Sequence, residues 1–155
     1  MQKLKLKVPP PVWFVFCAMQ MWLLSQALPN HLPDYQNKGV WVLSGIVGGV
    51  GLVIALLALI TIHKAKTTHS PFQPENTNQI VNWGIYSKSR NPMYLSLLLG
   101  LMAWALLLGS IFAWLVVPLF MWLITYFQIK PEEQILSKKF GQSYLDYLSE
   151  VRRWL

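Results

Sequence analysis

The sequence predicts an all-α integral membrane protein with four transmembrane helices, and three observations lead to that fold class. Hydrophobic residues make up 54% of the 155 residues, whereas charged residues make up only 12%. The charged residues are excluded from four apolar blocks, each close to the roughly 20 residues that a helix needs to cross the hydrocarbon core. None of the blocks alternates with the period of two that a β-barrel strand shows, so helices are the expected spanning structure.

The predicted helices occupy the four apolar blocks in turn. They are expected at residues 12–28, 40–62, 93–109 and 111–129. A polar loop, 63–92, rich in turn formers, separates the second helix from the third, and a polar tail, 130–155, follows the fourth. Together these segments are expected to form a single membrane domain over residues 1–155.

Glycine and proline give further expectations for the helices. Gly45 and Gly49 are spaced four residues apart in the second helix, a pattern that lets another helix approach closely. The third and fourth helices are joined so tightly, around Gly109 and Ser110, that they are expected to be antiparallel neighbours. Pro118 is expected to bend the fourth helix, because proline removes one backbone hydrogen bond from a helix interior.

The tail is predicted to form a cytoplasmic amphipathic helix. Pro131 and the two glutamates after it suit the first turn of a helix, unless the fourth helix continues through them with a kink at Pro131. Gly141 can end that helix. Large side chains then recur at the helical spacing expected of a helix on a membrane face, namely Tyr144, Leu145, Tyr147, Leu148 and Val151. We expect this tail to form a lid beneath the helical hairpin.

The basic residues predict the orientation of the chain. With four crossings, twelve of the thirteen lysines and arginines lie on one side of the membrane, and only Lys38 lies on the other. This asymmetry follows the positive-inside rule, so both termini are expected in the cytoplasm. The net charge of +7 then suits anionic lipid headgroups and does not argue for a nucleic-acid partner.

The N-terminal segment has two interpretations. Its lysines, its apolar run and the triplet Ser25-Gln26-Ala27 are similar to a cleavable signal peptide. The run is long for a signal peptide and Pro29 follows the possible cleavage site, which favours a helix that stays in the protein. Cys17 is the single cysteine, so no intramolecular disulfide is possible, and it is expected to serve packing.

Polar residues are concentrated at the two ends of the hairpin that the third and fourth helices form. Between Met93 and Ile129 there is no Asp, Glu, Lys, Arg or His. The segment before this stretch and the glutamates after it are therefore expected to meet on the cytoplasmic side. The constellation is Tyr86, Arg90, Asn91, Tyr94, Glu132 and Glu133. From spacing alone, it is either a ligand pocket or an ion pair at the membrane edge, which contributes under about 1 kcal/mol.

Other chemistries are disfavoured by the residues present. The apolar blocks lack the ionisable residue that an ion-coupled transporter uses as its carrier site. His31, His63 and His69 are not spaced as metal ligands, so no metal site is expected. A serine or cysteine nucleophile with a partnered histidine cannot be assembled from these positions.

The polar segments resemble a superfamily of membrane methyltransferases, the isoprenylcysteine carboxyl methyltransferases and phospholipid N-methyltransferases, which has many small bacterial members. The signature that carries the resemblance is Gly84-Ile85-Tyr86-x-x-x-Arg90-Asn91-Pro92-Met93-Tyr94. Further matching segments are Thr67-Thr68-His69, Pro74, Pro131-Glu132-Glu133, Phe140-Gly141-x-x-Tyr144-x-x-Tyr147 and Val151-Arg152-Arg153-Trp154. The resemblance covers roughly the C-terminal 90 residues in order and spacing.

This resemblance implies an S-adenosylmethionine-dependent methyltransferase in a bacterial inner membrane, with the cofactor bound on the cytoplasmic side and its methyl group facing the bilayer. The implied cofactor contacts are Gly84, Tyr86, Arg90, Asn91, Pro92, Tyr94, Glu132 and Glu133. Candidate catalytic residues are Arg90, Glu133 and Tyr94. Candidate substrate contacts are His69, Tyr144 and Arg153.

Two departures from the family pattern affect these expectations. Ile85 stands where the signature usually has proline, which removes no polar contact. Asn91 stands where prenylcysteine enzymes often have histidine, so their substrate cannot be transferred to this chain. A lipidic or small hydrophobic acceptor is expected, with prenylcysteine carboxylates, phospholipid amines and small thiols all open. A thiolate or carboxylate acceptor needs no base, whereas an amine acceptor must lose a proton, and the candidate bases are Glu132, Glu133, Tyr94 and His69.

Two alternatives remain at this point. Some sterol reductases have a similar C-terminal region and bind NADPH there, although few cations lie near the signature to bind a 2′-phosphate. The other alternative is a membrane protein without catalytic activity. Neither the oligomeric state nor the glutamate that contacts the cofactor can be predicted.

Overall fold

The computed structural model describes residues 6, 8–28, 35–65 and 79–155. Within these ranges 79% of the residues are helical and no strand is present, which confirms the predicted all-α class. The loop positions Thr67, Thr68, His69 and Pro74 lie outside the described residues.

The helices follow one another in a simple order. The first three are α1, Pro10–Ala27; α2, Lys38–Lys64; and α3, Pro92–Leu108, which follows a 3-10 turn at Gly84–Ser87. A long helical arm comes next, Ala113–Phe140. Its parts are a 3-10 turn at Ala113–Leu115, α4 at Val116–Ile124, a π-helical turn at Thr125–Ile129 and α5 at Lys130–Phe140. The last helix is α6, Gln142–Glu150.

Two of these helical segments are long and apolar enough to cross a membrane, α2 and the arm Ala113–Phe140. The helix α3 is apolar but shorter. Only 17% of the most apolar part of α2 is buried within the protein. Large side chains such as Trp41, Leu52 and Ile60 are exposed on α2, and a helix that is apolar all round normally lies inside a protein or a membrane.

The close packing of α2 on α3 involves Ser44 and Gly51, and it does not involve Gly45 and Gly49. The Ser44 hydroxyl donates a hydrogen bond to the Ala103 carbonyl at 2.8 Å. A Cβ atom placed on Gly51 would lie 3.1 Å from the Ser96 carbonyl oxygen, so the two backbones are close together there. Gly45 and Gly49 have nothing within 4 Å of the corresponding positions. They point away from α3, because adjacent helical residues face directions about 100° apart.

The core lies between α1, α3 and the arm. Its fully buried side chains include Cys17 and Met21 from α1, Leu101 from α3, and Phe120 and Ile124 from α4. Trp104 also donates a hydrogen bond from its indole N–H to the Ala18 carbonyl at 3.1 Å. The helix α1 is therefore part of the protein core.

The turn between α3 and the arm depends on Gly109. This residue has φ +62°, in the left-handed region, and it ends α3. A Cβ atom at this position would lie 2.3 Å from the Tyr35 side chain, so only glycine fits without rearrangement. The two helical segments are consequently joined by a very short connection.

Two prolines, Pro118 and Pro131, lie within the arm. Pro118 is the third residue of α4, just after the 3-10 turn at Ala113–Leu115, and the bend expected there stays a prediction. Pro131 does not start a separate helix, because the arm continues through it to Phe140. The π-helical turn lies immediately before it, and Gly141 then ends α5.

Candidate functional site

The segment that precedes α3 and the first turn of α5 lie side by side, as the sequence predicts. The Tyr94 hydroxyl donates a hydrogen bond to Glu132 Oε2 at 3.1 Å. Arg90 Nη2 lies 3.4 Å from Glu133 Oε1. These two contacts join residues that are about 40 positions apart in the sequence, and they define the candidate site.

The segment before α3 is shaped by local backbone chemistry. Gly84 has φ +64° and begins the 3-10 turn, which places it against the Thr61 side chain of α2. Pro92 is the first residue of α3, a position where its missing N–H costs nothing. The Asn91 side chain does not cap this helix. Its Nδ2 instead donates a hydrogen bond to the Arg153 carbonyl at 3.0 Å.

The two glutamates have different partners. Glu132 is buried and bonded to Tyr94, whereas Glu133 is shared between two guanidinium groups. Arg153 binds Glu133 in a bidentate manner, with Nη2–Oε2 at 2.7 Å and Nε–Oε1 at 3.1 Å. This divergence agrees with the 100° that separates adjacent residues on a helix.

The Arg90–Glu133 pair is not the exposed surface pair that spacing alone allowed. Only 11% of the Arg90 side chain and 15% of the Glu133 side chain are exposed. The Nε atom of Arg90 is buried and makes no protein hydrogen bond. Buried donors without an acceptor are rare in proteins, so this atom is a candidate contact for a ligand or an ordered water.

The C-terminal segment closes the site from the side opposite α3. The Tyr147 hydroxyl donates a hydrogen bond to the Tyr86 carbonyl at 2.7 Å. The Arg90 amide donates one to the Arg152 carbonyl at 3.1 Å. Together with the Arg153–Glu133 pair, these contacts hold α6 and the residues after it against the signature segment.

The tyrosines of the site are neutral at physiological pH. Burial raises the pKa of Tyr86, Tyr144 and Tyr147 above the ordinary value of a phenol. The negative charge of nearby glutamates raises the pKa of Tyr86 and Tyr144 further. These phenols are therefore hydrogen-bond donors and apolar surfaces, and they are not bases.

A cavity of about 40 Å³ lies between these groups. Most of its lining surface is apolar, and we call it the polar cavity because Arg90, Glu132 and Glu133 lie in its wall. The predicted site residues among its lining are Tyr86, Arg90, Asn91, Glu132, Glu133 and Tyr144. Gly84, Pro92, Tyr94 and Arg153 do not line it, and His69 lies outside the described residues. Sequence reasoning missed Gln79, Ile80, Val81, Ile129 and Leu136 as lining residues. Nothing in the signature marks these side chains, because they are ordinary loop and helix residues.

A second, apolar cleft of about 400 Å³ lies on the other side of the signature segment. Its walls are the start of α1, the C-terminal half of α2 and the first turns of α3. Tyr86 and Asn91 line both the cleft and the polar cavity. Pro92 and Tyr94, which were predicted as cofactor contacts, line the cleft only.

Comparison with known proteins identifies the family. A model of the phospholipid methyltransferase family matches residues 40–143, which is more than half of the chain. The chain belongs to the phospholipid methyltransferase family. The resemblance that the signature indicates is thereby confirmed.

The family match covers the parts of the protein that carry the candidate site. It includes the signature, the arm and the glutamate pair, and it excludes α1 and the C-terminal arginines. Membership implies a methyltransferase, and the family together with the two long apolar helices indicates a membrane protein. It does not favour a reductase.

Other comparisons add little about activity. An uncharacterized protein of Haemophilus influenzae is 56% identical to this chain over 63 residues, which is 41% of the chain and the whole of that protein. No solved structure matches the chain. Among the described residues there is also no group of three or more His, Cys, Asp or Glu side chains that could hold a metal ion.

Proposed function

We propose that this phospholipid methyltransferase family member uses S-adenosylmethionine to methylate a lipidic or small hydrophobic acceptor at the membrane. The observation that carries the proposal is the shared wall of the two cavities. Tyr86 and Asn91 separate a polar cavity lined by carboxylates and a guanidinium from an apolar cleft. Such an arrangement lets a polar cofactor and an apolar acceptor approach each other from opposite sides.

The donors and acceptors of the polar cavity fit the cofactor. Glu132 and Glu133 can accept hydrogen bonds from ribose hydroxyls or an ammonium group, and the buried Nε of Arg90 can donate to a carboxylate. The buried phenols of Tyr86 and Tyr144 supply neutral, polarisable walls beside a cation. When bound, S-adenosylmethionine supplies an electrophilic methyl group on a sulfonium.

The size of the polar cavity requires that its walls separate for binding. A volume of about 40 Å³ is far below the roughly 300 Å³ at the lower end of ligand pockets. The wall that can move at least cost is the C-terminal segment, because α6 contributes only nine residues and is joined to α5 through the single residue Gly141. In this proposal, α6 and the arginines after it form a lid that opens for the cofactor.

The protein's contribution to the reaction is alignment. Methyl transfer from a sulfonium is an in-line displacement, and holding both reactants in position supplies most of the acceleration. The cleft positions the acceptor, and the shared wall at Tyr86 and Asn91 admits only its reactive end. If the acceptor is an amine, Glu132 is the carboxylate best placed to take its proton, since it is buried and bonded to Tyr94. A thiolate or carboxylate acceptor needs no base.

Topology forms part of the same proposal. The helices α1, α2 and α3 and the arm each cross the inner membrane, with both termini in the cytoplasm. The candidate site then lies at the cytoplasmic surface, where S-adenosylmethionine is available. Single cysteines introduced at Gln36 and Lys138, in a Cys17→Ala background, should react with a membrane-impermeant maleimide from opposite sides of the membrane.

Binding of S-adenosylmethionine to the purified protein in lipid nanodiscs tests the proposal. Wild-type protein should bind the cofactor in titration calorimetry, and Arg90→Ala and Glu133→Ala should each weaken binding by about tenfold or more, because each removes a charge-assisted hydrogen bond. Lys88→Ala and Glu150→Ala are matched controls, since both side chains lie outside the polar cavity. No binding by the wild type, or equal binding by all variants, would refute the proposal.

The acceptor class is tested separately with methyl-labelled cofactor. Membranes that contain the protein are incubated with the label, and lipid and protein fractions are extracted. Label in the lipid fraction supports a lipid acceptor, whereas label only in a protein fraction or a water-soluble fraction contradicts it.

A further inference from the structure

The segment before α1 is fastened to the arm in a way that the family match does not explain. Residues 8–11, which we call the N-terminal strap, comprise the two residues before α1 and the first two of α1, and they lie outside the matched range of 40–143. The side-chain amide of Gln128 donates a hydrogen bond to the Val8 carbonyl at 2.5 Å. Just before the strap, the Leu6 amide donates a hydrogen bond to the Phe127 carbonyl at 3.0 Å.

Pro131 explains why the arm can accept this segment. In a regular α-helix the amide of residue 131 would bond to the carbonyl of residue 127, and proline has no amide hydrogen. The Phe127 carbonyl is consequently available to Leu6. The π-helical turn at Thr125–Ile129 widens the arm at the same place, and it carries both Phe127 and Gln128.

Gln128 has no other evident purpose in the core. Its side chain is fully buried, and its Oε1 atom has no hydrogen-bond partner. A buried amide with one unsatisfied atom is costly, so its retention in an apolar arm needs a reason. Its contact with Val8 provides that reason.

The strap forms one wall of the apolar cleft. Pro9, Pro10 and Pro11 line the cleft opposite Ala55 of α2 and Leu97 of α3. Three consecutive prolines present rings and no N–H groups, so this wall has no backbone donor to leave unsatisfied beside a hydrocarbon chain. Proline also restricts the backbone, which makes the wall stiff.

We propose that the N-terminal strap selects the hydrocarbon chain of the acceptor, and that Gln128 is the positioning residue that holds the strap in place. The inference rests on the proposed function, since it concerns the acceptor side of the same site. The occupant of the cleft is the acyl chain of a membrane phospholipid. The family supports this choice, as does the continuity of the cleft with the exposed apolar surface of α2 at Leu59.

The experiment uses full-length protein in nanodiscs that contain phosphatidylethanolamine with a photoreactive diazirine in one acyl chain. After irradiation, mass spectrometry compares labelling of the cleft segment 93–97 with labelling of the outer face of α2 at 50–53. Gln128→Leu should lower the cleft-to-outer-face ratio by about 2- to 10-fold, the effect of losing one hydrogen bond. Pro11→Trp, which narrows the cleft, should lower the same ratio.

Matched controls separate positioning from general damage. Ser44→Ala removes another buried side-chain hydrogen bond to a backbone carbonyl, at a place remote from the cleft, and it should leave the ratio unchanged. Leu56→Trp adds a tryptophan to the exposed face of α2 outside the cleft, and it should also leave the ratio unchanged. Probes with the diazirine at different depths along the chain should give a sharp depth preference in wild type and a flatter one in Gln128→Leu.

The outcomes are distinguishable from those of the proposed function. A ratio in Gln128→Leu equal to that in Ser44→Ala would overturn the inference, as would stronger cleft labelling by a prenyl probe than by the acyl probe. Calorimetric binding of S-adenosylmethionine to the same preparations should be unaffected by Gln128→Leu. Wild-type protein that takes the acyl probe into the cleft yet binds no cofactor would contradict the proposed function while supporting the role of the strap.

Discussion

Tyr94 and Glu132 are joined by a buried hydrogen bond of 3.1 Å between the first turn of α3 and the first turn of α5. The two residues also belong to different cavities, because Tyr94 lines the apolar cleft and Glu132 lines the polar cavity. This bond therefore links the region proposed for the acceptor with the region proposed for the cofactor. Removing either partner should affect both the fold and the site.

Tyr94→Phe should lower the stability of the protein by about 1.5–3 kcal/mol, the usual contribution of a hydrogen bond to a charged group. Glu132→Gln should lower the stability by less, because the side-chain oxygen of glutamine can still accept the hydrogen bond from Tyr94. A double-mutant cycle of Tyr94→Phe with Glu132→Leu, which removes the acceptor, measures the coupling between the two residues by thermal unfolding in detergent micelles. Additive effects in that cycle would contradict a direct bond.

The sequence predicts the large features of this fold because hydrophobic blocks and turn residues act locally. The all-helical class and the meeting of the signature with the glutamates follow from the apolar hairpin between them. The local sequence does not decide whether Pro131 begins a separate helix or lies inside a continuing one. In the structure Pro131 lies inside the arm, and the Phe127 carbonyl accepts a hydrogen bond from the Leu6 amide, more than 100 residues away in the sequence.

Part of the site can also be predicted from local features of the sequence. Arg90 and Glu133 carry charge in an apolar setting and so are easily recognised, and the structure brings them to 3.4 Å. The role of Arg153 as the closer partner of Glu133 depends on how α6 folds back, which spacing alone does not specify. Spacing alone also does not specify that α2 approaches α3 at Gly48 and Gly51, because Gly45 and Gly49 lie in the same glycine-rich stretch.

Gly109→Ala should destabilise the protein by at least about 1–2 kcal/mol, because alanine is strained at a positive φ. The added methyl group also collides with the Tyr35 side chain. Gly45→Ala is the matched control, since a Cβ atom there meets nothing within 4 Å and alanine favours a helix. In thermal unfolding, the melting temperature should therefore fall clearly for Gly109→Ala and should not fall for Gly45→Ala. Equal midpoints would show that the turn tolerates a side chain.

The stability of the protein should fall as the pH rises through and above 10, in part because of Tyr144. Burial raises the pKa of this phenol above its ordinary value of 10.0, and the charges of Glu133 and Glu132 raise it further. The folded state then keeps a proton that the unfolded state loses, so the contribution is complete below pH 10 and is lost at higher pH. Tyr144→Phe should give a shallower decline in the melting temperature between pH 9 and 11 than wild type, and parallel curves would contradict this assignment.

Arg153→Ala should release the proposed lid. The bidentate pair with Glu133 is lost, and burial of the Glu133 carboxylate is then balanced by Arg90 alone. Because the Arg90 amide is bonded to the Arg152 carbonyl, detachment of the C-terminal segment exposes that amide to solvent. Hydrogen–deuterium exchange at Arg90 should accelerate by about 2- to 10-fold, if the pair contributes about 0.5–1.5 kcal/mol to closure. Arg152→Ala is the control, since its side chain is exposed while its backbone bond remains, and it should leave the exchange rate unchanged. Equal rates in Arg153→Ala and wild type would show that the lid is held by α6 and its tyrosines, without a contribution from the ion pair.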